Sequence, residues 1–200
     1  MAQVISFDAD THTYTVDGHV VPASVTDIAG VFGEDVDESY EDAIDRAADR
    51  GVTMHAVLAM AVAGQDYDGE YPGMYQPYVD SIEAFLSKHV IVPVAIEQPI
   101  YSSKLDIAGT PDLLCLVNDV LTLYDWKFVS SVCKPKIRAQ MLGYNAIFNE
   151  LGVFPEQMIA VQFLADRPRE YPVDFDGDEW DAALKIWEIK NRKYARGRIG

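Results

Sequence analysis

The residues of this chain best suited to chemistry cluster in one stretch: Gly109-Thr110-Pro111-Asp112, then twelve residues, then Asp125-Trp126-Lys127. Between the acidic positions lie two apolar runs, Leu113 to Val117 and Val120 to Tyr124, split by Asn118-Asp119. That pattern is the signal of a β-hairpin with a tight turn. The register follows by counting: Val117 faces Val120, Leu114 faces Leu123, and Asp112 stands opposite Asp125. Side chains alternate along a strand, so Lys127 shares the face of Asp125. Two carboxylates and an ammonium are therefore expected on one side of the sheet, where a single phosphate can meet them.

Directly opposed like charges destabilise a sheet by about 0.2–1 kcal/mol where solvated and by more where buried. A divalent cation resolves the conflict. Hard oxygen ligands without a Cys or His cluster favour Mg²⁺ or Mn²⁺ over Zn²⁺, and bound Mg²⁺ keeps waters, one of which can become a nucleophile. Lys127 beside it can orient or help deprotonate that water, or stabilise charge on the phosphate. The competing reading is structural: Asp112 begins a strand after a Pro turn, and Asp125 with Lys127 is a solvated pair.

Four motifs in order resemble the PD-(D/E)xK nuclease superfamily, in particular its RecB-like and phage exonuclease branch. Arg50-Gly51-Val52-Thr53-Met54-His55 is similar to that branch's helical R-G-x-x-x-H element, and Gly109 to Asp112 to its G-x-x-D element. Asp125-Trp126-Lys127 matches D-x-K, and Gln140-Met141-Leu142-Gly143-Tyr144 matches Q-x-x-x-Y. Tyr14 to Gly18 followed by Pro22 to Thr26 is similar to the N-terminal segment of phage-encoded members, so the resemblance spans about residues 12 to 165. It implies hydrolysis of a DNA phosphodiester, with Asp112 and Asp125 as catalytic metal ligands, Lys127 as catalytic cation and the Trp126 backbone carbonyl as a further ligand. It also adds His55 and Glu97 as candidate ligands. For each a plain alternative stands: a hydrogen-bonded core histidine, and an exposed strand glutamate. Gln140, Tyr144, Lys136 and Arg138 are the candidate DNA contacts, with Tyr144 reaching a phosphate, fixing Gln140 or serving as core. The clustered cysteines of iron–sulfur members are lacking, so no such cluster is expected.

The net charge of −16 opposes non-specific wrapping of duplex DNA, for which Lys and Arg supply most of the affinity. The charge is uneven. Glu34, Asp35, Asp37, Glu38, Glu41, Asp42 and Asp45 form an acidic block, Lys134, Lys136 and Arg138 follow Lys127, and Lys190, Arg192, Lys193, Arg196 and Arg198 form a basic tail. A local basic groove on an acidic body is compatible with this pattern. DNA is the expected partner, a recombination or replication protein a further one, and oligomeric state is left open. No apolar run approaches the roughly 20 residues of a membrane span, and there is no basic-then-apolar N-terminus, so a cytoplasmic protein is expected. Cys115 and Cys133 are read as reduced thiols.

A hydrophobic content of 49% over 200 residues suits one domain with a real core. Residues 1–30 read as strands, with Asp17-Gly18 as a hairpin turn, and a short helix capped by Ser24. Residues 40–165 are the expected nuclease core. It begins with an Ala-rich helix to about Ala63, in which Gly51 marks a kink or a close backbone approach. A loop from Gln65 to Pro77 follows, with Tyr67, Tyr71 and Tyr75 as candidates for base stacking against a core role. Next come a helix carrying Tyr78, Val79, Ile82, Phe85 and Leu86, a strand from Val92 to Tyr101, the hairpin, a helix from Pro135 to Glu150 and a strand from Glu156 to Leu164. A terminal helix spans about residues 178–195, with Trp180, Leu184 and Trp187 facing inward. This order implies an α/β fold with a mixed central β-sheet flanked by helices, a restriction-endonuclease-like core. Two rival functions are a nuclease-like scaffold that holds DNA or a recombination partner without cutting, and an acidic DNA mimic.

Overall fold

The computed structural model describes residues 3–9, 11–33, 41–69 and 71–191, with side chains described throughout except in 41–47. The acidic block from Glu34 to Asp45 and the basic residues Arg192 to Arg198 lie outside the described side chains. Five strands form the central sheet, in the order β11 (Pro168–Pro172), β10 (Gln157–Phe163), β9 (Val120–Lys127), β8 (Leu113–Val117) and β5 (Ile91–Ile96). β9 and β10 run parallel and the other neighbours antiparallel. The parallel pair requires a crossover, which α4 (Lys134–Glu150) supplies.

The hairpin has the register read from the sequence: Val117 pairs with Val120 and Leu114 with Leu123. Asn118 and Asp119 take φ of 51° and 66°, the left-handed pair that a two-residue hairpin turn needs. Alternation then sorts the strands between two cores. Leu114, Leu123, Met158 and Ala160 pack with α1 (Val25–Ala29), α4 and α5 (Glu179–Lys190) on one face. Leu113, Tyr124, Trp126, Val161 and Phe163 pack with α2 (Glu41–Val62) and α3 (Gln76–Leu86) on the other. The mixed sheet with helices on both faces is the expected α/β class, and it agrees with a restriction-endonuclease-like core. No helix among the described residues is long and apolar enough to cross a membrane.

Two smaller sheets accompany the central one among the described residues. β1 (Ile5–Asp8), β2 (Thr13–Val16) and β3 (His19–Val20) form an antiparallel meander that turns at Asp17-Gly18. β4 (Ala23–Ser24), β7 (Ile107–Gly109) and β6 (Ile100–Ser102) form the second, in that order. Ser24 caps α1 through a reciprocal box with Asp27.

Two expectations are corrected. The strand read from Val92 to Tyr101 is two strands, because Glu97 takes φ of 44° and turns the chain from the central sheet into the second one. Gly51 sits in an unbroken helix with open space where a Cβ would point, so it marks no close approach. β11 carries no strand pattern of its own, being rich in Pro and charge, and its pairing to β10 from Ile159 to Phe163 defines it.

Packing between helices is tight at Gly143, where a Cβ would lie 2.6 Å from the Trp180 ring. At the other end of α4, Glu150 accepts from Ser103 N (3.0 Å), Ser103 Oγ (3.0 Å) and Lys104 N (3.2 Å), and from the Ser102 hydroxyl. Burial alone would raise the Glu150 carboxyl, but these donors outweigh it and hold the group below its ordinary range. A lowered folded value means the stabilisation is complete above the unfolded value and is lost as pH falls through the folded one. Glu150→Gln is therefore expected to cost about 1 kcal/mol near neutrality for this partly exposed site. The gap in denaturant midpoint should close as the pH is lowered below the normal glutamate range.

Candidate active site

The end of the β8–β9 hairpin remote from its turn gathers the charged side chains. Asp112 lies one step outside β8, and its Oδ2 accepts from the Trp126 backbone N–H on the facing strand. Asp125 is 1% exposed and Lys127 23%, and Lys127 Nζ lies 2.7 Å from Asp125 Oδ2. The buried Asp125 Oδ2 is thus compensated by the Lys127 ammonium. Trp126 turns its indole to the opposite core, leaving its backbone on the site.

The neighbouring strand and α2 add two groups. The Glu97 N–H donates to the Asp112 carbonyl at 2.9 Å, which sets Glu97, Asp112 and Asp125 on three adjacent strands at one level. His55 Nδ1 is 3.4 Å from Asp112 Oδ1 and 3.9 Å from Glu97 Oε1. The imidazole meets Phe128 edge-on at 5.4 Å between centroids. Of the alternatives open for these residues, His55 faces the carboxylates rather than lying sealed in the core, and Glu97 is half exposed at the rim.

α4 contributes a hydrogen-bonded chain whose direction is fixed by its ends. The Thr110 carbonyl can only accept, so the Tyr144 hydroxyl donates to it at 3.1 Å. Tyr144 then accepts from Gln140 Nε2 at 3.2 Å, and Gln140 presents Oε1 to Lys127 Nζ at 3.1 Å. Tyr144 is 2% exposed, so its hydroxyl fixes Gln140 instead of meeting solvent. Gly109 makes this possible: a Cβ there would fall 2.7 Å from the Tyr144 ring. The Tyr14 hydroxyl lies 2.9 Å from Thr110 Oγ1, tying the N-terminal meander to the same loop. Neither Tyr14 nor Thr110 was singled out for such contacts, because they are 96 positions apart and only the fold brings them together.

The electrostatics separate the two aspartates. Burial would raise Asp112, but the His55 charge, with help from Lys127 and the Trp126 N–H, brings it below the usual carboxylate range. Burial pushes Asp125 up; the Lys127 ammonium opposes this and the Asp112 charge reinforces it. Burial also raises Glu97. For His55 and Lys127, burial acts downward and the facing carboxylates outweigh it, so both are raised. Paired carboxylates driven in opposite directions are a common arrangement in acid–base sites.

A groove of about 470 Å³ opens beside Lys127 and Gln140, lined also by Thr26, Ser131, Cys133 and Lys136. Lys136 thus joins the site, whereas Arg138 points elsewhere: its Nε is 2.6 Å from Glu179 Oε1, and Nη1 is 3.8 Å from Asp174 Oδ2. Tyr67 and Tyr71 donate to Glu83 and Gln76, and with Tyr75 they pack partly buried against the α2–α3 core. Cys115 is buried, its thiol pushed up to about 12 by burial, and Cys133 is exposed; both are free.

Among the described residues, no three His, Cys, Asp or Glu side chains converge as a ready metal cage. Asp112 is engaged by Trp126 and His55, and Asp125 by Lys127.

No family model matches the chain, and no curated protein matches it in sequence at a significant level. Two solved structures similar to the chain are of one alkaline exonuclease. One is an alkaline exonuclease (LHK-Exo) from Laribacter hongkongensis, with a TM-score of 0.37 and 14% identity over 87% of this chain and 91% of that one. Another is LHK-Exo in complex with dAMP, with a TM-score of 0.37 and 14% identity over 87% and 93%. A likeness of that size lends no weight to any residue assignment, and the site's reading rests on its side-chain geometry.

Proposed function

We propose that this chain is a metal-dependent deoxyribonuclease that hydrolyses phosphodiester bonds through an activated water. The observation that supports it most is the opposition of Asp112 and Asp125 across the hairpin, with Lys127 at 2.7 Å from Asp125 on the same face. A protein that needed only a stable hairpin end gains nothing from a buried carboxylate set opposite a largely buried one. DNA is the substrate that the motif resemblance implies, and exonuclease action is the finer form of that reading.

The residues fit a hard cation. Asp112 and Asp125 offer carboxylate oxygens beside the single imidazole of His55, a donor set that suits Mg²⁺ or Mn²⁺. Asp112, Asp125 and the Trp126 carbonyl would hold it, with His55 and Glu97 at the rim. Such an ion supplies Lewis-acid polarisation of the phosphate and lowers the pKa of water.

The chain's own groups do the rest. Lys127 is held as an ammonium between Asp125 and the Gln140 carbonyl oxygen, placed to stabilise charge on the phosphate oxygens. Gln140 and Tyr144 keep it there. Lys136 and Ser131 line the groove along which a strand can run. The N-terminus of α4 lacks a side-chain cap and borders that groove, so its backbone N–H groups add positive potential. This local field is how an acidic protein can hold a polyanion.

The deciding experiment is a gel assay of end-labelled linear, circular and single-stranded DNA with Mg²⁺, Mn²⁺ or EDTA. Asp125→Asn and Lys127→Ala are each expected to lower kcat by at least about 100-fold. Near-wild-type cleavage by both variants, with circular dichroism showing the fold intact, would sink the assignment.

His55→Ala should lose more activity at limiting than at saturating metal, because it removes a rim ligand while leaving the carboxylates. An equal loss at every metal concentration would take His55 off the ligand set. Neutralising Lys136 should weaken DNA binding and reduce the salt slope by about 0.7–0.9. Arg138→Ala should instead lower thermal stability through its lost contact with Glu179, with DNA affinity little changed. The opposite pattern in a salt titration would move the strand to the Arg138 side.

A further inference from the structure

The two residues that follow β9 have carbonyls with no ladder partner, yet each is held by a side chain from another element. Arg50 of α2 donates to the Phe128 carbonyl through Nε at 3.3 Å and Nη2 at 3.0 Å. Gln162 of β10 donates to the Val129 carbonyl through Nε2 at 2.8 Å. Its amide cannot be turned around, because Tyr171 donates to Oε1 at 3.0 Å and the Val129 carbonyl can only accept. Gln162 is 2% exposed and stands opposite Lys127 on the last rung between β9 and β10. Arg50 is itself steadied over the Tyr78 ring, 5.0 Å from its centroid.

The braced segment touches both halves of the site. It leads from Lys127 into the groove wall at Val129, Ser131 and Cys133. The Phe128 ring lies stacked on Phe163 at 5.0 Å and meets the His55 ring edge-on at 5.4 Å. Arg50 thus grips the backbone of the residue whose side chain flanks His55, from the helix that carries His55. The core face and the groove face of the sheet each supply one clamp.

We propose that Arg50 and Gln162 are positioning residues: they fix the chain immediately beyond Lys127 and, through Phe128, keep His55 and the groove wall in register with Lys127. Contact with substrate is not part of either role. The consequence for turnover rests on the nuclease reading; the consequence for the chain itself does not. Losing a charge-assisted hydrogen bond frees the segment locally, and a displacement of about 1 Å at a reacting group can cost about 100-fold in rate.

The test compares Arg50→Ala, Arg50→Lys and Gln162→Met with the wild type, the last removing the donor at similar volume. Amide exchange across residues 128–134 should rise about tenfold in Arg50→Ala and Gln162→Met, with the β8 peptide unchanged. The His55 ring resonance should shift in Arg50→Ala. In Arg50→Ala both should move back when free guanidinium is added at non-denaturing concentration, and Arg50→Lys should fall between. In the cleavage assay kcat of Arg50→Ala and Gln162→Met should drop by about 100-fold with KM within about threefold, and guanidinium should rescue Arg50→Ala alone. A purely structural arginine would lower thermal stability without a selective kcat loss or rescue, and that result would overturn the proposal. Unchanged exchange together with an unmoved His55 resonance would overturn it as well. Should the wild type cleave no DNA with any metal, the nuclease reading falls, and exchange and resonance still decide the brace.

Discussion

Two carboxylates facing each other at the end of a buried hairpin are an electrostatic liability, and most of the surrounding structure answers it. Asp112 is met by the Trp126 N–H and by His55, and Asp125 by Lys127. Trp126 and Lys127 belong to β9 and His55 to α2, so hairpin and helix must both be in place for the charges to be tolerated. Removing one partner of such a buried set leaves the others exposed to the full desolvation cost. A stability design would have replaced the pair with apolar residues; keeping it points to use.

The sheet makes the site possible by dividing labour between its faces. Period-two alternation sends Leu113, Tyr124 and Trp126 to the α2–α3 core and Leu114 and Leu123 to the α4 core. At the strand ends the same alternation brings Asp112, Asp125 and Lys127 to the α4 side, where Gln140 and Tyr144 meet them. The hydrogen bonds run one way, from Tyr144 to the Thr110 carbonyl at one end and from Lys127 to the Gln140 oxygen at the other. Buried polar chains satisfied throughout hold their members in single rotamers.

The overall charge and the local field are separate properties. A total of −16 describes the whole molecule, whereas Lys127, Lys136 and the uncapped start of α4 border one groove. Screening over roughly 10 Å at moderate salt limits how far charges beyond the groove act on it. Arg138 shows the limit of counting charges along the chain. It lies two positions from Lys136, yet it faces Glu179 and Asp174 on the α5 side.

The hairpin, its turn, its register and the α/β order were legible in the sequence because they depend on local rules: alternation, turn chemistry and helical spacing. Asn118-Asp119 set the turn, and counting outward from it placed Asp112 opposite Asp125. The pairing of Gln140 with Tyr144 was legible for the same reason, since one helical turn separates them. The break at Glu97 was not, because no residue there demands a left-handed backbone; the competing pairing of β6 with β7 decides it. Nor were the Tyr14–Thr110 contact, the Glu150 anchor or the grip of Arg50 and Gln162 on the chain after Lys127. Each joins residues far apart in sequence through side-chain hydrogen bonds, and such bonds have no period to read. Local patterning thus determined which residues share a face, and tertiary packing alone decided which of them have partners and which stand open to a ligand.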